Sequence, residues 1–290
     1  MIEGIQSKQD QSRPREVRYL GLFFAVTVMF LTAMPVAAQL LHATDASRPS
    51  FDVTSVKPSN PDATGLNFQL SPMKFAARHA SLRDLIKFAY HVKSDDQLSG
   101  PPSWWNKEYF DVEAKASPAE IDTFNTLRPD RKMDFTRLLL QSLLEDRFHL
   151  KVTFETRPLA AYALVVVKHG AKLTEAQSST ASPVSGRPLL PSIGKSGADQ
   201  LTATGVPMAM VADWLSFREE IGNRVVVDQT GLKGNYDFVL RGISFGQSPS
   251  EDSATSIFTA VHEQLGLKLE PAKLPVEVLV LQHVERPSQN

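Results

Sequence analysis

The chain has 290 residues, of which 42% are hydrophobic and 22% are charged, and its 31 basic and 32 acidic side chains give a net charge of -1. This composition is typical of a folded globular protein, and it excludes a disordered chain and a polytopic membrane protein. Because the chain has no excess of positive charge to attract phosphates, we expect no nucleic-acid partner. Because cysteine is absent, the chain has no disulfide, thiolate nucleophile or iron–sulfur cluster.

The first segment has the pattern of a secretory signal peptide. Basic residues precede an apolar run over residues 19–33, Pro35 then interrupts the run, and the small residues 36–38 suit a cleavage site. We expect a signal peptide over residues 1–38 and export to the periplasm, the cell surface or the medium. The mature chain then has no membrane span. An uncleaved anchor is the alternative, although it needs roughly 20 apolar residues.

Strand and helix patterns alternate through the predicted N-terminal half, residues 39–173. Ser81 and Ser117 are predicted N-caps, since serine side chains accept the free amides of a first helical turn. A turn at Arg157 and Pro158 is expected to separate the last two strands. The predicted elements are strands over residues 51–56, 73–77 and 109–114, helices that begin after Ser81 and Ser117, a helix over residues 133–148, and strands over residues 150–155 and 159–167.

Serine, threonine, proline and glycine dominate residues 174–200, which predicts a linker or loop before a C-terminal half over residues 201–290. The tail of that half, residues 285–290, is polar. The predicted elements are a helix from Pro207 through Ile221 that ends at Gly222, a helix with apolar residues from Ile257 to Leu265, and strands over residues 225–227, 236–240, 267–270 and 276–284.

The two halves share a pattern. A shift of 117 positions superposes Pro158 on Pro275. The same shift superposes the predicted helix that ends before residue 150 on the one that ends before residue 267. At a slightly different shift, the YFDV segment at residues 109–112 corresponds to YDFV at 236–239. We therefore predict an α+β fold of two related halves that arose by internal duplication. Each half is a small, mainly antiparallel sheet with helices packed on one face.

One motif suggests a catalytic nucleophile. Residues 242–246 read G-I-S-F-G and place Ser244 in the G-x-S-x-G pattern of a nucleophile elbow, which requires a strand before the serine and a helix after it. A strand is predicted before Ser244, but a proline- and serine-rich loop follows it. An exported serine hydrolase, with His262 or His283 as the base, therefore stays an alternative.

The remaining motifs favour neither catalysis nor a cofactor. Two S-x-x-K matches, at residues 71–74 and 192–195, lack the helix that would bring the lysine to the serine. The seven histidines include no H-E-x-x-H pair, so we expect no metal site. Without a phosphate-binding glycine motif we expect no nucleotide cofactor.

Trp104 and Trp105 are the candidate binding residues. They follow two prolines in a turn-rich segment, where one of two adjacent aromatic rings can face solvent and anchor a glycan or a protein partner. The alternative is that one tryptophan closes the core beside Tyr109 and Phe110.

Four segments together resemble one bacterial family. They are FDVTSVKPS at residues 51–59, LLEDRF at 143–148, VDQTGLKGNYDF at 227–238 and LGLKL at 265–269. Over about residues 51–287 the chain resembles a soil-associated bacterial family of exported proteins of unknown function. The resemblance brings no catalytic residues. Related domains also occur fused to membrane metallopeptidases of the type that senses β-lactams, which implies an extracytoplasmic sensing or interaction module.

These observations predict a noncatalytic extracytoplasmic binding module rather than an enzyme. An envelope protein or a glycan is the expected partner, and a groove between the halves is the expected site. Besides the Ser244 hydrolase, the other alternative is a structural envelope component that assembles through strand edges such as residues 276–284.

Overall fold

The structure is a computed structural model that describes residues 40–41, 48–71, 74–176, 192–196, 199–243 and 256–287. Within these ranges the fold is α+β, with five α-helices and twelve strands in three four-stranded, mainly antiparallel sheets. The described residues belong to one compact unit.

The elements follow one another in the same order in both halves, with one extra helix, α2, in the first. The N-terminal half contains β1 (Phe51–Pro58), β2 (Asn67–Ser71), β3 (Lys74–Ser81), α1 (Leu82–Tyr90), a 3-10 turn (Asp95–Gln97), β4 (Leu98–Ser99), β5 (Tyr109–Ala116), α2 (Pro118–Thr126), α3 (Pro129–Phe148) and β6 (Lys151–Val166). The C-terminal half contains β7 (Thr174–Glu175), β8 (Ser192–Lys195), β9 (Gln200–Pro207), α4 (Met208–Ser216), a 3-10 turn (Glu219–Ile221), β10 (Val226–Asp228), β11 (Asn235–Arg241), α5 (Ile257–Leu265) and β12 (Leu267–His283).

The strand orders of the sheets also correspond between the two halves. The first has the strand order β1-β5-β3-β2 and the second has the equivalent order β7-β11-β9-β8. The third sheet, β10-β6-β12-β4, contains strands of both halves, because β4 pairs with β12 and β10 pairs with β6, both in parallel. Strands β7 and β8 come from the predicted linker at residues 174–200. The domain boundary itself stays a prediction.

A matching β-bulge lies in β3 and β9. His79 and Gly205 both have positive φ, 50° and 60°, where the register of each strand shifts. The amide of His79 donates to Asp111 Oδ1 at 3.0 Å, and the amide of Gly205 donates to Asp237 Oδ1 at 2.6 Å. A shift of 126 positions therefore superposes both the bulges and their aspartates.

This geometry corrects one of the two alignments made from the sequence. The alignment of residues 109–112 with 236–239 is wrong by one position, because the aspartates that bind the bulges are the equivalent residues, not the tyrosines. The shift of 117 superposes the left-handed C-caps of α3 and α5, which are His149 at φ 50° and Gly266 at φ 64°.

Strands β6 and β12 form a long antiparallel ribbon. They pair from Val166 opposite Leu267 to Lys151 opposite His283. The predicted turn at Arg157 and Pro158 is therefore wrong, as is the division of residues 267–284 into two strands. Since β6 pairs along one side of β12 and β4 pairs with residues 279 and 280 on the other, part of the edge expected at residues 276–284 is used within the fold.

The ribbon tolerates its central prolines because of their place in the register. Pro158 lies directly opposite Pro275. The Tyr162 amide binds Val225 O and the Leu164 carbonyl accepts from Gln229 N, so even-numbered residues of β6 direct their backbone groups away from β12. Pro158 shares this parity, so its missing amide leaves no gap in the ladder between the two strands.

Each end of the ribbon packs in the core of the opposite half. Leu164, near the end of β6, is fully buried among side chains of α4 and α5. Leu279 and Leu281, near the end of β12, are buried with α1 and α3. Burial of apolar surface at both ends ties the halves together.

The predicted helix starts are mostly confirmed and two bounds are wrong. Ser81 caps α1 in a complete capping box with Asp84, and Ser117 accepts the Glu120 amide at the start of α2. Helix α3 begins at Pro129, four residues before its predicted start, because proline suits the first helical turn. Helix α4 ends at Ser216, and Gly222 instead ends the 3-10 turn that follows.

The helix ends at Gly266 and Gly222 generate a matched test of stability. Both glycines are left-handed, but a Cβ at Gly266 would overlap the carbonyl oxygen of Gly170, whereas a Cβ at Gly222 meets nothing within 4 Å. Gly266→Ala should lower the free energy of unfolding by about 3 kcal/mol, from strain and overlap together. Gly222→Ala should cost about 1 kcal/mol from strain alone. Urea denaturation measures both, and equal losses would contradict the packing of residue 170 on α5.

Candidate functional site

Helix α1 presents two cations to one carboxylate. Arg83 and Lys87 lie one turn apart, and both bind Asp95 in the 3-10 turn that follows the helix. The Arg83 guanidinium makes contacts of 2.6–3.2 Å and Lys87 Nζ lies at 2.8 Å. Burial raises the pKa of Asp95, but the hydrogen bonds and charges of Arg83 and Lys87 outweigh it, so the pKa lies below its usual value. Both cations are held on the outer face of α1.

Aromatic rings form an apolar floor beside these cations. The rings of Phe68 in β2 and Phe88 in α1 stack at 5.1 Å with an interplanar angle of 27°, and both contact Phe75. The guanidinium of Arg137, from α3, lies 6.0 Å from the Phe88 ring. A cation therefore borders an aromatic surface.

Arg137 keeps an unused donor. Its Nη1 donates to Asp134 Oδ1 at 3.1 Å, one turn earlier on α3. Its Nε is buried and has no hydrogen-bond partner within the described part of the chain. A buried donor without a partner carries a free-energy cost in the folded chain.

The C-terminal half supplies the opposite wall. Phe217 caps the end of α4 and lies 5.2 Å from the His91 ring, which caps α1. Phe217 is 51% exposed, and Leu66, which lines the same cleft, is 46% exposed. Exposed apolar side chains at the rim of a concave surface are typical of binding sites.

Together these residues line a cleft of about 370 Å³, which we name the junction groove. It lies where the two halves meet, and its size is within the range of small-molecule sites. Its lining residues are Leu66, Phe68, Arg83, Asp84, Lys87, Phe88, His91, Val92, Arg137 and Phe217.

Below the groove, one carboxylate joins the halves. Asp213 of α4 lies 2.9 Å from His91 Nε2 and 2.7 Å from Lys93 Nζ. The Lys93 side chain is only 5% exposed. Burial acts to raise the pKa of Asp213, but the hydrogen bonds and charges of His91 and Lys93 lower it to about 2. Asp213 is therefore a carboxylate at neutral pH.

The tryptophans selected from the sequence do not line the groove. Trp104 and Trp105 are both half-buried and pack against the N-terminal core. The Trp104 ring contacts Phe110 edge-on at 6.5 Å, and the Arg286 guanidinium covers it at 5.1 Å. The Trp105 carbonyl accepts the amide of Arg83 at 3.0 Å, at the start of α1. Whether either ring binds a ligand stays a prediction.

The candidate catalytic residues are not brought together among the described residues. Ser244 lies outside them, so the proposed nucleophile elbow stays a prediction from the sequence. His262 is on α5, and His283 Nε2 pairs with Glu285 at 2.8 Å. The two S-x-x-K matches involve the ends of β2 and β3 and the strand β8, not helices.

One hydroxyl–imidazole contact does occur, but it has no relay geometry. Ser59 Oγ lies 3.3 Å from His79 Nδ1. The carboxylate of Asp111 binds the His79 backbone amide, and the His79 ring stacks flat on Tyr109 at 4.0 Å. Because the carboxylate does not orient the ring, this trio lacks the third member of a nucleophilic relay.

Two searches of the described residues gave negative results. No group of three or more His, Asp or Glu side chains there is placed to hold a metal ion. None of the helices within those ranges combines the length and hydrophobicity required to cross a membrane.

Comparison with known proteins identifies a family without an activity. The family model described as "Protein of unknown function (DUF3738)" matches residues 83–284. The chain belongs to this family. Searches of curated proteins and of solved structures found no match. The DUF3738 match begins at Arg83, so the FDVTSVKPS segment at residues 51–59 lies outside it, whereas the other three segments of the resemblance lie inside.

Sequence analysis missed the residues that form the groove. Arg137 and Asp213 occur on amphipathic helices, where charged residues usually mark a solvated face. Phe217 follows a helical apolar pattern that favours burial. No motif spacing connects these positions, because residues far apart in the chain meet only when α1, α3 and α4 pack.

The contact between Asp213 and Lys93 generates a stability test. Asp213→Asn should lower the free energy of unfolding by about 3 kcal/mol at pH 7, because it leaves the buried Lys93 without a counter-charge. The control is Asp146→Asn, which removes an exposed partner of Arg147 and should cost less than about 1 kcal/mol. Equal losses in urea denaturation would contradict the assignment.

The same pair predicts a pH dependence. The pKa of Asp213 is lower in the folded chain than in the unfolded one, so its contribution is complete above about pH 4 and disappears as the pH falls towards about 2. As the pH falls across this interval, the free energy of unfolding of the wild-type chain should decrease by about 2 kcal/mol more than that of Asp213→Asn. Parallel acid-dependent slopes of the two proteins would be inconsistent with this role.

Proposed function

We propose that the chain is an exported, noncatalytic binding module whose junction groove takes an amphipathic anionic ligand. The observation that carries the proposal is the guanidinium of Arg137, which lines the groove beside the aromatic floor and donates to Asp134 through Nη1. A ligand with an acceptor group and an apolar body would satisfy both features at once.

The apolar part of this ligand is specified by the walls of the groove. Leu66 and Phe217 line the cleft and are exposed, and Phe68 and Phe88 stack on each other in the same lining. An aliphatic or aromatic body between these side chains would remove apolar surface from water on both partners.

The charge of the ligand follows from the ion pairs around the groove. Arg83 and Lys87 both bind Asp95, Arg83 also has a longer contact of 3.5 Å with Asp84, and Arg137 uses only one guanidinium nitrogen on Asp134. A carboxylate is the acceptor that best fits a guanidinium edge, because the two planar groups match geometrically.

Binding is favoured over catalysis by the partners of these charged groups. Each of the cations Arg83, Lys87 and Arg137 is engaged with a carboxylate, and among the described residues none has a hydrogen bond to a hydroxyl nucleophile. Such pairs position a ligand but supply no proton transfer at a reacting atom.

The proposal of export rests on the sequence. Residues 1–38, the predicted signal peptide, lie outside the described residues. Their basic and apolar pattern supports delivery to the periplasm, the cell surface or the medium. The family resemblance supports a sensing or interaction role there, with an envelope protein or a glycan as the other classes of partner.

We also infer that the two halves arose by internal duplication. Three independent features support this inference: the repeated order of elements, the repeated strand order of two sheets, and the bulges at His79 and Gly205 with their equivalent aspartates. Chance similarity of two α+β segments would not reproduce a bulge and its hydrogen bond at one shift.

The ligand proposal is tested by calorimetric titration of the full chain with decanoate, using decanol as the uncharged comparison. Decanoate should bind about tenfold more tightly than decanol, since only decanoate can pair with Arg137. Arg137→Met keeps the aliphatic stem and removes the charge, so it should abolish that preference. Phe217→Ala should weaken both ligands about fivefold by removing apolar contact.

The matched control is Arg131→Met, an exposed arginine on the same helix as Arg137. It should bind both probes as the wild type does. A decanoate affinity unchanged in Arg137→Met, or no saturable binding of decanoate, would refute the junction groove as an anion site.

A further inference from the structure

A second concave surface lies on the N-terminal half, away from the junction groove. We name it the Tyr109 pocket. It has a volume of about 310 Å³ and is lined by Val56, Pro58, Glu108, Tyr109, Phe110, Arg286 and Pro287. None of these residues lines the junction groove, so the two sites can be tested separately.

The aromatic ring of this pocket is fixed from behind. Tyr109 stacks on His79 with 4.0 Å between ring centroids and only 8° between planes, yet it is 40% exposed. Its carbonyl accepts the amide of Ser59 at 2.8 Å, and Pro58 lies opposite Phe110 in the register of β1 and β5. Tyr109 is therefore a rigid, partly exposed platform rather than a mobile surface side chain.

The rim carries a pre-oriented polar pair. Arg286 Nε and Nη2 bind both oxygens of Glu108 at 2.7–3.1 Å, and the guanidinium is held 5.1 Å from the Trp104 ring. These hydrogen bonds lower the pKa of Glu108 and raise that of Arg286, so both groups are ionised. Trp104, selected from the sequence as a binding residue, therefore supports the rim.

The combination specifies a neutral, polyhydroxylated ligand. Glu108 and Arg286 neutralise each other, so the rim attracts neither anions nor cations, but a carboxylate beside a guanidinium offers acceptors and donors side by side. Adjacent hydroxyl groups of a sugar ring can use both. The opposite, less polar face of a sugar ring suits an aromatic side chain that is apolar in its body and polar at its tip.

We propose that the Tyr109 pocket is a saccharide-binding site, in which Tyr109 stacks against one sugar ring and the Glu108–Arg286 pair binds its hydroxyl groups. The lining residues Val56, Pro58 and Phe110 add apolar surface for the ring. A volume at the lower end of ligand sites agrees with this occupant. This proposal is independent of the anionic ligand of the junction groove.

The test is titration of the full chain with chitotetraose and with cellotetraose, followed by calorimetry and by tryptophan fluorescence. At least one saccharide should bind with a dissociation constant on the order of 1 mM or lower. Tyr109→Ala should weaken binding about tenfold through loss of the stacking surface, whereas Tyr109→Phe should stay within about twofold of the wild type. Glu108→Gln should weaken binding about fivefold, since an amide accepts fewer hydrogen bonds than a carboxylate.

Two controls make the result decisive. Phe217→Ala alters only the junction groove and should leave saccharide affinity unchanged, and thermal unfolding of each variant establishes that it is folded. Deca-proline peptide is titrated in parallel, because aromatic and proline-lined pockets also accept polyproline helices. Binding of deca-proline alone, no saturable saccharide binding, or full saccharide affinity in folded Tyr109→Ala would overturn the proposal.

Discussion

The antiparallel pairing of β6 with β12 is the constraint on which the rest of the structure depends. The ribbon is longer than either half requires, and its ends leave one core to enter the other. Each half also receives a short parallel strand from its counterpart, β4 onto β12 and β10 onto β6. Neither core is therefore complete without residues from the other half, and the junction groove forms where this exchange brings α1 and α4 together.

The prolines of the ribbon explain why sequence analysis found the strands but not their continuity. Apolar alternation identified most of β6 and β12, and Pro158 and Pro275 then favoured a break, since a proline usually ends a strand. Whether proline interrupts a ladder depends on which way its nitrogen points, and this follows from register, a long-range property. The residue pattern of one sequence contains no direct information on strand register.

Local signals predicted local structure well. Ser81 with Asp84, and Ser117 before Pro118, fixed two helix starts because an N-cap acts over three residues. The candidate site could not be predicted in this way. Sequence analysis selected Trp104 and Trp105 as aromatic residues that can be exposed. The contribution of Arg137 and Phe217 to the groove depends on neighbours that lie far away in sequence. Only packing reveals that Arg137 Nε has no hydrogen-bond partner among the described residues, since hydrogen-bond satisfaction is a property of the folded environment.

The function proposed for the junction groove depends on how the halves differ rather than on how they agree. The shift that superposes the bulges also places the first residues of α1 and α4, Leu82 and Met208, on each other. It then matches Lys87 with Asp213. Identical halves would bring like charges to both helices, whereas opposite charges at this position let Asp213 bind across the junction to His91 and Lys93. The same difference in sequence leaves Lys87 free to share Asp95 with Arg83 on the groove side. Two halves with equivalent strand orders thus differ in charge at the junction, and this difference places cations beside the aromatic side chains of the groove.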